Sequence, residues 1–387
     1  MVEWKKLGEV CLETNNIKWK MEPNDKVYMY IDLSSVGIES HKIENTTEIC
    51  KEIAPSRAQQ IVKDGDVLLG TTRPTLRRYC QVSKQYDNQI CSTGFCVYRV
   101  NKDIILNRWL FHNISDNRFW DYCEQRQKGA GYPCLSNNDA FAYTIPIPSL
   151  SEQQHIVGIL DTFTTSISNL KEQLALRRKQ YEHYRDELLD LEGKEGVEMK
   201  TLGEVGSFIR GSGIQKADFV EIGKPCIHYG QIHTKYSLSA KESFSFIDEC
   251  LYNKCKKAVK GDVVLATTSE DAEGCAKPVA WLGEEDVAIS GDAIIYHHNQ
   301  NGKFIAHHFA THRFLQFKIM NVTGAKVVRI SGDTMAKYEV PLPSLEEQSR
   351  IVSLLDTFEA SISNLEAQIA AREKQYEYYR NKLLTFE

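Results

Sequence analysis

The 387-residue chain carries 47 Lys or Arg against 52 Asp or Glu, a net charge of -5, and 42% hydrophobic residues. That length and composition suit two or three domains with buried cores and exclude a disordered chain, and no apolar run approaches the roughly 18 residues a membrane span needs. Eleven cysteines, an odd number with no Cys-x-x-Cys pair, argue for reduced thiols rather than a disulfide framework. The first six residues show no signal-peptide pattern, so a cytoplasmic location is expected.

The opening Lys5, Leu7, Gly8, Glu9 and Val10 returns 195 residues later as Lys200, Leu202, Gly203, Glu204 and Val205. A first block, residues 11–143, follows. Its short strand-like runs Val67-Leu68-Leu69 and Phe95-Cys96-Val97-Tyr98 and its aromatic-rich helical stretch over 109–122 predict an α+β domain. Gly65-Asp66 opens a buried strand that ends in Thr71-Thr72, a scaffold for a loop. The next residues, Arg73, Pro74, Thr75, Leu76, Arg77 and Arg78, place three arginines in six positions. Guanidinium groups at that density suit phosphate contact and two-point reading of guanine. Lys128, in Gln-Lys-Gly-Ala-Gly, is a further backbone-contact candidate.

From Ile145 the chain changes character. Pro146, Pro148, Ser149 and Glu152 form a helix start, with Ser149 as N-cap and Glu152 completing a capping box. Apolar residues then alternate at spacings of four and three: Ile156, Leu160, Phe163, Ile167, Leu170, Leu174, Tyr181, Tyr184 and Leu188, with Arg177 interrupting. Such spacing sustained over five heptads predicts a coiled-coil seam on a helix about 60 Å long.

The second block, residues 206–338, repeats Gly-Asp and the strand as Gly261 to Ala266, ending in Thr267-Thr268 before Ser269, Glu270 and Asp271. Ala293 to Tyr296 reads as a strand and residues 305–320 as a helix. Arg210, Ser212, Gln215 and Lys216 combine basic and hydrogen-bonding groups on a glycine-rich segment, and Tyr229, Gln231, His233 and Lys235 do so with an aromatic. Glutamine suits adenine and lysine suits phosphate. Lys326 and Arg329, at the place that corresponds to Lys128, complete the candidate contacts. Neither Walker A nor an Asn-Pro-Pro-Tyr or Asp-Pro-Pro-Tyr methylase motif occurs, so no catalytic residue is assigned. Among the histidines at 297, 298, 307, 308 and 312, His308 and His312 have the i, i+4 spacing of a helical metal pair but lack the intervening glutamate of His-Glu-x-x-His, and no metal is expected.

From Val340 the helical segment returns as Ile351, Leu355, Phe358, Ile362, Leu365, Ile369, Tyr376, Tyr379 and Leu383, with Arg372 at the interruption. Over 48 positions from Ile145 and Val340, 29 are identical without a gap. The expected domains are therefore 1–144 and 193–339, globular, and 145–192 and 340–387, helical spacers that pair antiparallel under an internal pseudo-two-fold. Net charge is +1 and 0 for the globular parts and -3 for each spacer, so the pull toward nucleic acid must come from local patches or a partner.

The divergent blocks, the repeated Pro-x-Pro-Ser-Leu-x-Glu-Gln and Leu-Asp-Thr-Phe steps and the Gly-Asp-Val-Leu-Leu-x-Thr-Thr loop together resemble the specificity subunit of Type I restriction-modification systems. The resemblance implies two target recognition domains, each reading half of a bipartite double-stranded DNA target, and a helical rod that sets the gap and docks two modification (methyltransferase) subunits. Restriction (ATP-dependent translocase and nuclease) subunits would join the complex. It also implies no catalysis and no cofactor on this chain, with S-adenosylmethionine, ATP and Mg on the partners. The alternative is a coiled-coil scaffold whose globular blocks bind other proteins.

Overall fold

In the computed structural model, which describes residues 2–386, the duplicated segments that bracket each block lie side by side. Glu3–Lys6 pairs antiparallel with Thr144–Ile147, and Glu198–Thr201 pairs with Glu339–Leu342, Lys5 facing Ile145 and Lys200 facing Val340. The following turn buries Leu7 in one copy and Leu202 in the other. Their amides donate to Tyr143 O and Tyr338 O, both at 2.8 Å. Each block is thus closed by its own repeat.

Two compact units result, Met1–Glu172 with Glu366–Glu387, and Gln173–Leu365. The first holds two four-stranded sheets. One runs Cys11–Leu12, Phe95–Val100, Val67–Gly70, Tyr79–Gln81, and the other Thr47–Ile49, Tyr28–Ile31, Ile90–Ser92, Ala58–Ile61. The second unit repeats the plan with two five-stranded sheets, in which Gly206–Arg210, Ala293–His298, Val263–Ala266 and Lys277–Trp281 are successive neighbours.

The helical stretch expected in each block is two helices, not one. Asn107–Ile114 and Asn117–Arg126 are broken at Asp116, and Gly302–Phe309 and His312–Asn321 at Thr311. The break has a local cause: Asp116 and Thr311 take up extended backbone and cap the second helix, accepting from Arg118 N and Phe314 N.

The long helices run Leu150–Leu189 and Leu345–Leu383, each starting where Ser149 or Ser344 accepts from the amide three residues on. In the first unit Phe163 stacks on Tyr379 with ring centroids 5.3 Å apart and Lys171 pairs with Glu373 at 2.8 Å, an antiparallel register. In the second, Tyr184 stacks on Phe358 at 5.4 Å. The helices do more than pair. Ile156 and Leu160 are buried in the core built on Trp109, Tyr98 and Phe119, together with Leu384, while Ile351 and Leu355 join Tyr296, Phe304 and Phe314. Burying each such side chain contributes about 1.5–3 kcal/mol, so the start of each seam holds its block to the helix. Ile369 is also buried; Ile167, Leu170, Leu174, Tyr181, Leu188, Ile362, Leu365, Tyr376 and Leu383 are half-buried, and Arg372 is exposed.

Polar joints reinforce this packing at positions 195 apart. Arg108 and His112 Nε2 meet Asp161, at 2.5 and 2.7 Å, and His112 Nδ1 lies 3.0 Å from Tyr376 Oη. In the second unit Lys303 pairs with Asp356, and Tyr181 Oη lies 3.3 Å from His307 Nδ1 and donates to Glu359 at 3.0 Å. Burial pushes the Asp161 carboxyl up, but the hydrogen bonds from His112 and Arg108 outweigh it and hold the group at about 2. All eleven cysteines are free. No helix among the described residues is long and apolar enough to cross a membrane.

Candidate nucleic-acid interface

The turn at Gly65 and Gly261, with φ of +88° and +99°, needs glycine. The aspartate beside it is buried and ties the turn: Asp66 accepts from Lys63 N at 2.8 Å and pairs with Arg99 at 2.7 Å, while Asp262 accepts from Val259 N and contacts His297 Nδ1 at 2.7 Å. The strand that follows is wholly buried, so the loop beyond it starts from a fixed point.

The two threonines ending that strand have different duties. Thr71 Oγ1 donates to Gly94 O at 2.9 Å and Thr267 Oγ1 to Asp292 O at 3.0 Å, so the first hydroxyl anchors the loop to the connection between the sheets. The second threonine pairs with a hairpin. Thr72 bridges to Cys134 and Cys134 to Lys128; Thr268 pairs with Arg329 and Arg329 with Thr323. The hairpins turn at Gly129 and Gly324, φ +108° and +106°; a Cβ at Gly324 would lie 2.2 Å from Val327 O. Each unit therefore presents a variable loop laid against a hairpin, and candidates far apart in sequence come together: Thr71 to Arg78 with Lys128, and Thr267 to Ser269 with Lys326 and Arg329.

In the first unit Arg73, Thr75, Arg77 and Lys128 are exposed. Arg73 and Arg77 both take left-handed backbone, φ +50° and +51°. Arg77 donates to Asn117 Oδ1 at 2.9 Å, and half-buried Arg78 donates to Leu33 O. Tyr132, which the sequence reading passed over, is 71% exposed at the hairpin tip with the Arg73 guanidinium 4.4 Å from its ring centroid.

In the second unit the connection Ile289 to Asp292 gathers the remaining candidates. Arg210 Nε donates to Gly291 O at 3.0 Å, Ser212 N to Ile289 O at 2.7 Å, and Tyr229 N to Ser290 Oγ at 2.8 Å. His233 Nε2 lies 3.0 Å from Thr268 O. Lys277, whose ammonium burial pulls down, donates to His233 O at 3.3 Å. Gln215, Lys216, Lys235, Lys326 and Arg329 are exposed. Gln231 is buried and bonds Ser245 Oγ at 2.5 Å and His228 N at 3.2 Å, holding the start of the short helix Tyr229–Thr234. Periodicity cannot reveal such a role, since glutamine in a polar stretch reads as surface. Among the described residues no three His, Cys, Asp or Glu side chains group as a metal site.

Each of the two units is thus an α+β domain offering a divergent loop laid against a hairpin, built on a repeated helical segment. The chain belongs to the type I restriction-modification specificity family: residues 1–176 and 194–372 each match the Type I restriction modification DNA specificity domain. It is 31% identical over 303 residues to the type I restriction enzyme EcoR124I/EcoR124II specificity subunit of Escherichia coli, covering 74% of this chain and 72% of that protein. A Haemophilus influenzae protein named as a type I restriction enzyme specificity subunit is 27% identical over 405 positions, covering all of this chain and 96% of that one. In fold, the chain resembles one from a solved type I R-M system described for its assembly and conformational transition, with a TM-score of 0.65 at 24% identity over 99% of this chain and 97% of that chain.

Proposed function

We propose that this chain confers DNA sequence specificity on a type I restriction-modification complex. Residues 1–144 and 193–339 each read one half of a bipartite duplex target. The spacers 145–192 and 340–387 fix the unspecific gap and dock two modification subunits, which restriction subunits then join. The chain itself carries no catalytic residue and no cofactor; S-adenosylmethionine, ATP and Mg act on the partners. The observation that carries this reading is the pairing, in both units, of a divergent polar loop with a divergent hairpin on an otherwise duplicated frame. Bases are told apart by side chains that differ, while spacing is kept by a frame that does not. The near-neutral globular parts fit a complex in which partners supply much of the phosphate binding.

The duplicated frame makes a sharp test possible. Replacing residues 206–338 by a second copy of 11–143 puts one reader in both positions. A complex built on that variant should modify a palindromic target, the first half-site followed after the gap by its own inverted repeat. Modification at the original asymmetric target would contradict independent reading by the two units.

A further inference from the structure

The three arginines of the first loop have distinct surroundings. The Arg78 guanidinium is half-buried and spends a donor on Leu33 O, and the Arg77 guanidinium spends one on Asn117. Arg73 is exposed, and its side chain makes no hydrogen bond or ion pair among the described residues; it lies against the Tyr132 ring. Its backbone is fixed as well. Arg73 N donates to Pro133 O at 2.6 Å, and Pro74 follows at the start of a single 3-10 turn, Pro74–Leu76. One hairpin tip therefore holds both the backbone and the side chain of this residue. Left-handed backbone is shared by Arg73 and Arg77, so it does not set them apart; what distinguishes Arg73 is that it is the one arginine of the loop whose side-chain donors are all available among the described residues.

We propose, resting on the DNA-reading role above, that Arg73 is a base-reading residue of the first unit, that it pairs with guanine, and that Tyr132 is its positioning residue. A guanidinium stacked on a ring keeps its in-plane donors free and has already lost much of its rotamer freedom, which suits two parallel bonds to guanine O6 and N7. Lysine matches the charge but not the fork.

The test measures the complex of this chain with its modification subunits on duplexes carrying every single-base change in the half-site of the first unit. Wild type should require guanine at one position. R73A and R73K should both lose about ten- to a hundred-fold of discrimination there, with the other positions unchanged; Y132A should lose less at that position and Y132F almost nothing. Equal weakening on all sequences by R73A, rescued by R73K, would make Arg73 a phosphate contact and overturn the proposal. So would a half-site with no guanine requirement, or relaxation by Arg77→Ala in place of R73A. If wild type shows no bipartite target at all, the DNA-reading role itself fails, an outcome separate from these.

Discussion

Changing Gln153 to alanine should lower the stability of the first unit by about 3–5 kcal/mol, and Gln348→Ala should do the same to the second. Both side chains are completely buried. Gln153 Nε2 donates to Ile104 O at 3.0 Å and Pro148 O at 2.9 Å, while Oε1 accepts from Leu106 N at 2.9 Å. Gln348 repeats this with Pro343 O at 3.0 Å, Gln300 Oε1 at 2.8 Å and Asn301 N at 3.0 Å. One amide thus joins the first turn of a long helix to the segment that enters Asn107–Ile114 in the first unit and Gly302–Phe309 in the second. Truncation leaves three polar groups unpaired, at one buried and two part-buried bonds, each costing about 1–3 kcal/mol, and adds a cavity. Leucine fills the space but leaves the same groups unpaired, so Gln153→Leu should recover little. Urea unfolding followed by tryptophan fluorescence in a W281F background, which removes the buried tryptophan of the second unit, reads the first unit, where buried Trp109 donates to Pro146 O at 3.0 Å. A shift below 1 kcal/mol for Gln153→Ala would contradict the clamp.

Acid should destabilise the second unit well before carboxylates protonate. Burial holds His307 and His308 down at about 3, and neighbouring cationic groups add to the effect. Both are neutral in the fold, whereas in the unfolded chain each takes up a proton near pH 6.5. Between about 6.5 and about 3 the unfolded state binds more protons, so stability falls as pH falls through this window. By pH 5 each histidine accounts for about 2 kcal/mol of loss. Asp161, held at about 2 in the fold, is charged in both states between pH 7.5 and 5 and adds to the loss only below about pH 5, where the unfolded carboxyl protonates first. Denaturation at pH 7.5 and 5.0 checks the sign, and a H307Q/H308Q variant should show a loss smaller by about 4 kcal/mol whatever its stability at pH 7.5. Equal wild-type stability at the two pH values would show these rings to be accessible.

The repeat made the frame legible, because segments 195 residues apart that match at 29 of 48 positions build the same elements, and the alternation of apolar spacings reveals a helix with one stripe. What covers that stripe was not legible: spacing does not distinguish a partner helix from a globular core, and Ile156, Leu160, Ile351 and Leu355 face the latter. The break at Asp116 and Thr311 was hidden because aromatic residues continue on both sides of a capping residue. At the candidate interface the Gly-Asp turn and the threonine pair marked a loop, but its hairpin partner lies about 60 residues on, joined by backbone pairing that no side-chain pattern encodes. Tyr132 went unread for that reason. The buried histidines drew attention as metal ligands, yet their environment is decided by packing, and sequence proximity on a helix does not gather them round one point.

The proposed role is tested by asking whether this chain chooses the DNA sequence on which its complex acts. The most direct measurement co-expresses it with the modification subunit of its own system and maps N6-methyladenine across the host genome by long-read sequencing. Methylation is expected at one asymmetric motif of two specified halves around an unspecific gap, lost when this chain is deleted. Methylation unchanged by that deletion, with both proteins present and complexed, would contradict it.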